Sequence, residues 1–169
     1  MYPPLWLLEL GVFSIHKEVV IYDFLEILSK RFKFVRLRLN TGNTVQNSKE
    51  FLDKEMQYIS LNNDCDSIFK GYNRNRKREI IRAENSDLIE NWNDNPEKLI
   101  KIFRDNIATR IKGVTEKDFS NLLELIRALL EKKTGELLTI YDSKNNLVSA
   151  AFFLKYKNEV TQLVCASDI

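Results

Sequence analysis

The chain has few of the residues that build covalent or metal-based scaffolds. Its 169 residues include only two cysteines and one histidine. Cys65 and Cys165 lie far apart, and neither has a neighbouring cysteine or histidine at metal-ligand spacing. A disulfide scaffold needs more cysteines, and a structural zinc site needs four ligands. The sequence therefore predicts two reduced, buried thiols and no metal. It also predicts a surface or helix-entry position for His16, which has no evident catalytic partner in the sequence.

Glycine, proline and long apolar runs are also scarce. The five glycines are isolated from one another, which excludes a glycine-rich loop that cradles phosphate. The longest run of apolar and small residues covers 147–154, which is far too short to cross a bilayer. The first residues lack the basic segment of a signal peptide, and Pro3, Pro4 and Glu9 interrupt their short apolar run. These features predict a soluble, cytoplasmic protein with no membrane span.

Neither sign of charge dominates the chain. The 26 lysines and arginines nearly balance the 24 aspartates and glutamates, which leaves a net charge of +2. A global electrostatic field that attracts nucleic acid or membranes is therefore not expected. Because 44% of the residues are hydrophobic, the chain can bury a core and is not typical of a disordered protein. Its length alone would fit one domain.

The first half of the chain alternates between helical and strand-like patterns. Apolar residues at helical spacing predict a helix over 18–32, and strict alternation predicts a strand over 34–39. A second, shorter strand is expected over 55–61. The segment 64–84 has a helical pattern that is broken near Gly71.

In the second half of the chain, capping residues and polar turns mark the ends of the elements more clearly. A short strand is expected over 86–92, and Asn95 followed by Pro96 marks the start of a helix over 96–110. Thr115 begins another helix over 116–133, with an acid three residues later as in a capping box, and Gly135 is expected to end it. Three strands joined by short polar turns follow, over 137–141, 147–154 and 160–165. They predict an antiparallel meander whose middle strand is covered on both faces. The fold class is α/β or α+β.

The most unusual local feature is a basic segment over 70–82, in which six of thirteen residues are basic and one is acidic. On a helix, one arc of about 140° would hold Arg74, Lys77, Arg78 and Arg82, with Ile81 among them. Arginines clustered in this way suit the binding of phosphate or carboxylate, so these four residues are the candidate anion- or acceptor-binding site. A solvated basic face paired with the acidic stretch 84–97 is the alternative. Nucleic-acid binding is weakly indicated, because the patch is a single helix on a nearly neutral chain.

The segment 72–84 resembles the basic helix of the FemAB-like branch of the GNAT acyltransferase superfamily. The residues that match this pattern are Asn75, Lys77, Arg78, Ile80, Arg82, Ala83 and Glu84. Upstream, 4–14 is similar to a proline-aromatic segment of bacterial relatives. There the chain departs from the pattern, since Leu8 and Glu9 stand where those relatives have two glutamines. If that glutamine pair contacts substrate, the contact is altered in this chain.

The resemblance implies two GNAT-like units in tandem, with mixed sheets and flanking helices. Residues 1–84 would be the latter part of a first unit together with the basic connecting helix. Residues 85–169 would be the first half of a second unit, ending in the antiparallel meander. Such a unit binds the pyrophosphate of acyl-CoA in the loop after its fourth strand. Here that loop would begin near residue 169, so we expect a truncated segment that binds no acyl-CoA.

The implied activity is transfer of an acyl or aminoacyl group to an amine. The donor implied by the family is acyl-CoA (acetyl-CoA) or aminoacyl-tRNA, and the acceptor is a small molecule or a molecule like a peptidoglycan precursor. No catalytic residue can be assigned from the sequence. The alternative is a non-catalytic binding or interaction module with a degenerate acyltransferase fold. Nucleic acid other than an aminoacyl-tRNA donor is not expected, whereas a homodimer through open sheet edges near 5–13 and 160–165 is.

Overall fold

The computed structural model describes residue 6 and residues 10–15, 20–45, 51–52, 57–107, 110–111 and 113–168. The chain divides into two compact units, Met1–Lys54 and Glu55–Ile169. The resemblance instead places a boundary after Glu84, which lies inside the second compact unit. No helix in these described ranges is both long enough and apolar enough to cross a membrane.

In the first unit, helix α1 covers Ile21–Arg31, within the range that its periodicity predicts. The helix buries Ile21, whereas Phe24 and Ile27 of the same apolar stripe remain 46% and 54% exposed. His16 lies outside the described residues. The helical pattern was therefore a correct guide to the helix but a poor guide to how much of its stripe is buried.

The strand predicted over 34–39 is wrong. Residues 34–38 have no regular secondary structure, and Leu39 forms only an isolated parallel bridge with Leu10. Side-chain amides supply further bonds to this backbone: Asn43 accepts from Val12 N–H at 2.7 Å and donates to Val12 C=O at 2.9 Å. Towards residue 43, an asparagine side chain therefore takes the place of a neighbouring backbone, and the described residues there form no ladder of strand pairs. In a parallel pairing 34–38 would face 5–9, of which only residue 6 lies in the described part.

The alternation that suggested this strand is nevertheless visible in its burial. Val35, Leu37 and Leu39 are half-buried, while the residues between them are exposed. The segment thus has one sheltered side, and among the described residues Leu39 is its one position in a strand bridge. The shorter strand predicted over 55–61 is also wrong for 57–61, which have no strand structure, and its first two residues lie outside the described part.

In the second unit, the broken helical pattern is confirmed. Helix α2 covers Cys65–Gly71 and helix α3 covers Arg74–Glu84. Each begins with a capping side chain: Asp64 accepts from Ser67 N–H at 2.8 Å, and Asn73 accepts from Arg76 N–H at 2.9 Å. Neither helix contains a buried residue.

The elements that follow form an α+β arrangement, which confirms the predicted fold class. Strand β1 covers Ile89–Trp92, helix α4 covers Pro96–Asn106 and helix α5 covers Glu116–Glu131. Asn95 caps α4 with proline at its first position, and Thr115 and Asp118 form the expected capping box of α5.

The predicted meander is confirmed as an antiparallel sheet in the order β1-β2-β3-β4. The remaining strands are β2 over Gly135–Tyr141, β3 over Leu147–Tyr156 and β4 over Glu159–Ser167. The register shifts once between β2 and β3 and once between β3 and β4. At the second shift, Phe152 pairs with Val164 and Phe153 with Gln162, so Leu163 of β4 is an extra residue, a β-bulge.

One face of the sheet carries the core. Alternate residues of β2, β3 and β4 are buried in register, and α4 packs against β3 and β4 while α5 packs against β2. The largest fully buried side chains of this core are Phe152, Leu99, Leu122, Ile126, Leu137 and Thr139. The prediction that β3 is covered on both faces is wrong, because Ala151 and Phe153 on its other face remain partly exposed.

Both cysteines are free and exposed, so the prediction of buried thiols is also wrong. Cys65 begins the exposed helix α2, and Cys165 lies on the open face of β4, where Gln162 Nε2 donates to its Sγ at 2.9 Å. Position within an apolar strand did not bury Cys165 because its side chain points away from the helices.

Gly135 does not end α5, contrary to the prediction. The helix ends at Glu131, the chain turns through Lys133 with φ 55°, and Gly135 begins β2. A Cβ at Gly135 would lie 3.0 Å from Cε2 and 3.1 Å from Cε1 of Phe152, and closer still to its Cζ. Glycine is required at this position because the aromatic ring occupies the space of a side chain.

We expect Gly135→Ala to lower the free energy of unfolding by about 1–3 kcal/mol, because the added methyl group must displace a fully buried ring. Gly71→Ala is the matched control, since a Cβ there meets nothing within 4 Å and the residue is helical. Urea unfolding followed by circular dichroism measures both variants. Equal stability of the two would contradict the packing account.

Candidate functional site

A polar cluster ties the start of α4 to the middle of the sheet. Asp94, just before the helix cap, accepts hydrogen bonds from Lys98 Nζ at 2.9 Å, from Thr139 Oγ1 at 3.2 Å and from the hydroxyl of Tyr141. Lys98 also donates to the Tyr141 hydroxyl at 2.8 Å. Thr139 is fully buried, and the Asp94 side chain is only 11% exposed. The four side chains satisfy one another, so the cluster fixes the β1–α4 loop against β2.

The charges in this cluster are locked at neutral pH. Burial would raise the pKa of Asp94, but hydrogen bonds from Tyr141, Lys98, the Asn95 N–H and Thr139 outweigh burial and lower that pKa to about 2. Hydrogen bonds to Tyr141 and to Asp94 raise the pKa of Lys98 above its usual value. Asp94 therefore stays a carboxylate and Lys98 an ammonium, and neither suits proton transfer near pH 7.

Sequence reasoning did not single out this cluster. Its one local signal is the four-residue spacing of Asp94 and Lys98, which places them on the same side of a helix start. The partners Thr139 and Tyr141 are more than forty positions away, and only the pairing of β1 with β2 brings them close.

The four residues of the predicted basic site lie on α3, and their side chains fall into two groups, three exposed arginines and one half-buried lysine. Arg74, Arg78 and Arg82 are exposed and form no ion pair or hydrogen bond with another described residue through their side chains. Lys77 is half-buried, and its Nζ donates to the C=O of Lys70 at 2.8 Å and lies 5.9 Å from the ring centroid of Phe69. Lys77 thus clamps the end of α2, which leaves a row of three arginines.

The alternative of a basic face paired with the acidic stretch 84–97 finds no support in the described contacts. The ion pairs of that stretch are Asp94 with Lys98 and Glu97 with Arg127. On α3 itself, Arg76 pairs with Glu79 at 2.9 Å. Asp94 and Glu97 are therefore engaged with α4 and α5, and in the described contacts no acid of this stretch pairs with the arginine row.

An open cleft of about 470 Å³ lies where β1 ends and β2 begins. It is lined by Asn93, Leu130, Lys133, Gly135 and Glu136. Asn93 and Lys133 both have positive φ, of 58° and 55°. The Asn93 side chain accepts a hydrogen bond from Leu137 N–H at 3.3 Å, and Glu136 forms an ion pair with Lys155 at 2.5 Å. Both side chains of the cleft are therefore already bonded to residues of the sheet.

Among the described residues, no group of three or more histidine, cysteine, aspartate or glutamate side chains is placed to hold a metal ion. Comparison of the chain with protein-family models, with curated proteins and with solved structures found no match. The function must therefore be argued from the topology, the two clusters and the resemblance in 72–84.

We expect the stability of the protein to depend on the ionisation of Asp94. Because the pKa is about 2 in the folded state and 3.8 when unperturbed, the carboxylate contributes stability above about pH 4 that is lost as the pH falls from 3.8 towards 2. Asp94→Asn removes the charge-assisted hydrogen bonds and should lower the free energy of unfolding at pH 7 by about 1–3 kcal/mol.

Urea unfolding at pH values from 2.5 to 7 checks this prediction. The loss caused by Asp94→Asn should shrink at the acidic end, where the wild-type carboxylate becomes protonated. Asp87→Asn is the matched control, since Asp87 is exposed and no side-chain hydrogen bond joins it to another described residue. A pH-independent loss would show that the charge of Asp94 is not what stabilises the loop.

Proposed function

We propose that residues 89–167 form the first half of a GNAT-like unit and that the protein transfers an acyl group to an amine. The observation that carries this proposal is the order of elements: one strand, two helices and then three strands in a single antiparallel sheet. The resemblance in 72–84 predicts this order for the residues that follow. A residue pattern in one helix and a topology in the next eighty residues are separate observations, and both favour the same family.

The bulge in β4 is where the proposal can be tested on the sheet. The resemblance implies that the donor pyrophosphate lies in the loop after the fourth strand, which corresponds to β4. This strand is at one edge of the described sheet, and Leu163 stands outside the ladder with β3. Unpaired backbone groups at a sheet edge can bind the amides of an extended ligand, and bulges are frequent beside active sites. In our proposal the donor runs along this edge.

The chemistry needs few special side chains. An amine nitrogen attacks the acyl carbonyl, the donor's sulfur or oxygen leaves, and the nitrogen loses a proton. Positioning, a route for that proton and donors to the oxyanion supply the rate enhancement. Asp94 and Lys98 are assigned no step, because their charges are locked by each other and by Tyr141.

The finer parts of the proposal follow from the resemblance. The donor is acyl-CoA or aminoacyl-tRNA, and the acceptor is a small amine or a molecule like a peptidoglycan precursor. The cytoplasmic location, which is expected from the sequence itself, completes the proposal. A homodimer through open sheet edges near 5–13 and 160–165 belongs to the same proposal, and β4, which contains 160–165, is at one edge of the described sheet.

A non-catalytic binding module is the second candidate. The observation that favours it is the exposed arginine row of α3, which is built for contact with an anionic surface. The two functions differ in whether acyl donor is consumed.

We expect the protein expressed from its complete reading frame to release thiol from acetyl-CoA in the presence of amine acceptors. Deleting Leu163 restores regular pairing, because Gln162 and Val164 already face successive residues of β3. The deletion should lower the rate at least about tenfold if the bulge holds the donor. A thiol-release assay with acceptor panels gives the rates, and mass spectrometry identifies the acylated amine.

Deletion of Val148 is the matched control. It removes the other irregularity of the sheet, where Ile140 pairs with Ser149 and Tyr141 with Leu147, and it lies on β3 rather than on the donor edge. Its activity should remain within about threefold of wild type. Circular dichroism and unfolding midpoints establish that both variants are folded. Absence of acylated product with acetyl-CoA and with aminoacyl-tRNA would favour the binding module.

A further inference from the structure

Helix α3 lacks the apolar face that anchors most surface helices. None of its residues is buried, and it contains five basic and two acidic residues among eleven. A surface helix without a buried apolar face is stabilised by its own side-chain pairs, or bridges to another element, or is weakly formed. Here the internal support consists of the Asn73 cap, the Arg76–Glu79 pair and the Lys77 clamp onto Lys70.

The three remaining arginines form a regular row. Arg74, Arg78 and Arg82 are four residues apart, so they rise about 6 Å per step along one side of the helix. Of the six salt bridges among described residues, none involves this row. Guanidinium groups are suited to two-point contacts with carboxylates or phosphates.

The exposed side chain of Ile81 favours a ligand that carries carboxylates over one that carries phosphates. It lies within the same arc as the arginines and is 47% exposed. A phosphodiester backbone would cover this side chain with charged oxygens and leave it without apolar contact. A peptide that carries an apolar residue among its acids would bury it and gain the corresponding free energy.

We propose that α3 is a docking helix for an acidic segment of another protein, which places carboxylates against Arg74, Arg78 and Arg82 and an apolar side chain against Ile81. The spacing fits either of the two regular backbones. Carboxylates four residues apart on a helix repeat every 6 Å, and alternate residues of a strand repeat about every 6.6–6.8 Å. This surface is separate from the acyl-transfer chemistry and does not depend on it.

Fluorescence anisotropy with a defined probe tests the proposal on the full chain. The probe is a labelled helix-forming peptide with three glutamates at four-residue intervals and a leucine beside the last of them. Its competitors are a shuffled peptide of the same composition, a 20-nucleotide single strand and a 20-base-pair duplex. We expect saturable binding of the ordered peptide below about 1 mM that weakens with added salt.

Variants of α3 assign the contact. Arg78→Ala should weaken peptide binding about two- to fivefold, and removal of all three arginines at least about tenfold. Arg78→Lys keeps the charge but loses the two-point contact, so its loss should be smaller than that of Arg78→Ala. Ile81→Ser should weaken the peptide about two- to fivefold while leaving the salt dependence unchanged.

Arg76→Ala is the matched control, because it removes the same side chain from the same helix at a position already paired with Glu79. It should change the affinity less than about 1.5-fold. Equal losses for Arg76→Ala and Arg78→Ala would overturn the proposal, as would equal binding of ordered and shuffled peptides. Absence of binding at 1 mM would also overturn it. Tighter binding of either nucleic acid would overturn it in favour of a phosphate-binding surface.

Discussion

The structure of the second unit depends on the burial of one face of its sheet. Phe152 is fully buried at the centre of that face, with Leu137 of β2 and Val164 of β4 as its partners in register. The ring lies so close to β2 that only glycine fits at position 135. Because α4 and α5 must both cover this face, the connection from β1 into α4 has to be held firmly over the sheet.

The Asp94 cluster holds the connection between β1 and α4 in place over the sheet. It lies where the chain leaves an exposed edge strand and enters a helix with four buried residues. A buried threonine and the nearly buried Tyr141 would be costly without partners, and a single carboxylate satisfies both together with the ammonium of Lys98. We regard the cluster as the polar counterpart of the Phe152 core, since both fasten α4 to the same sheet.

Local signals in the sequence located the helices and the strands β1–β4 of the second unit, although they also suggested a strand over 57–61 that is not there. Asn95, Pro96 and the Thr115–Asp118 box located the helix starts, because capping depends on residues only two or three positions apart. The meander followed from short polar turns. The predictions that failed depended on distant residues. The Phe152 ring makes glycine necessary at position 135, and Cys165 is exposed because the helices cover the other face of the sheet.

In the first unit, too, a local pattern could not reveal contacts with distant residues. The alternating pattern over 34–39 correctly indicated which side chains are sheltered, but a strand also needs a partner backbone. At and after the Leu10–Leu39 bridge, the side chains of Asn40 and Asn43 bond to the backbone of Leu10 and Val12, and no periodicity reveals these contacts. Likewise, the Asp94 cluster joins residues more than forty positions apart, so the pattern of α4 alone could indicate only its Asp94–Lys98 half.

The description of the basic helix α3 required both the local sequence pattern and the tertiary contacts. Its composition and periodicity predicted an arc of four cations, and the tertiary contacts of Lys77 reduced that arc to three. Charge on an exposed helix usually reflects pairs that support the helix itself, as Arg76 and Glu79 do here. The arginine row gives no such support, and like charges four residues apart repel one another. A helix that keeps this repulsion beside an exposed isoleucine gains stability when a partner supplies both carboxylates and apolar contact, and this gain is the physical reason to assign α3 to recognition rather than to the fold.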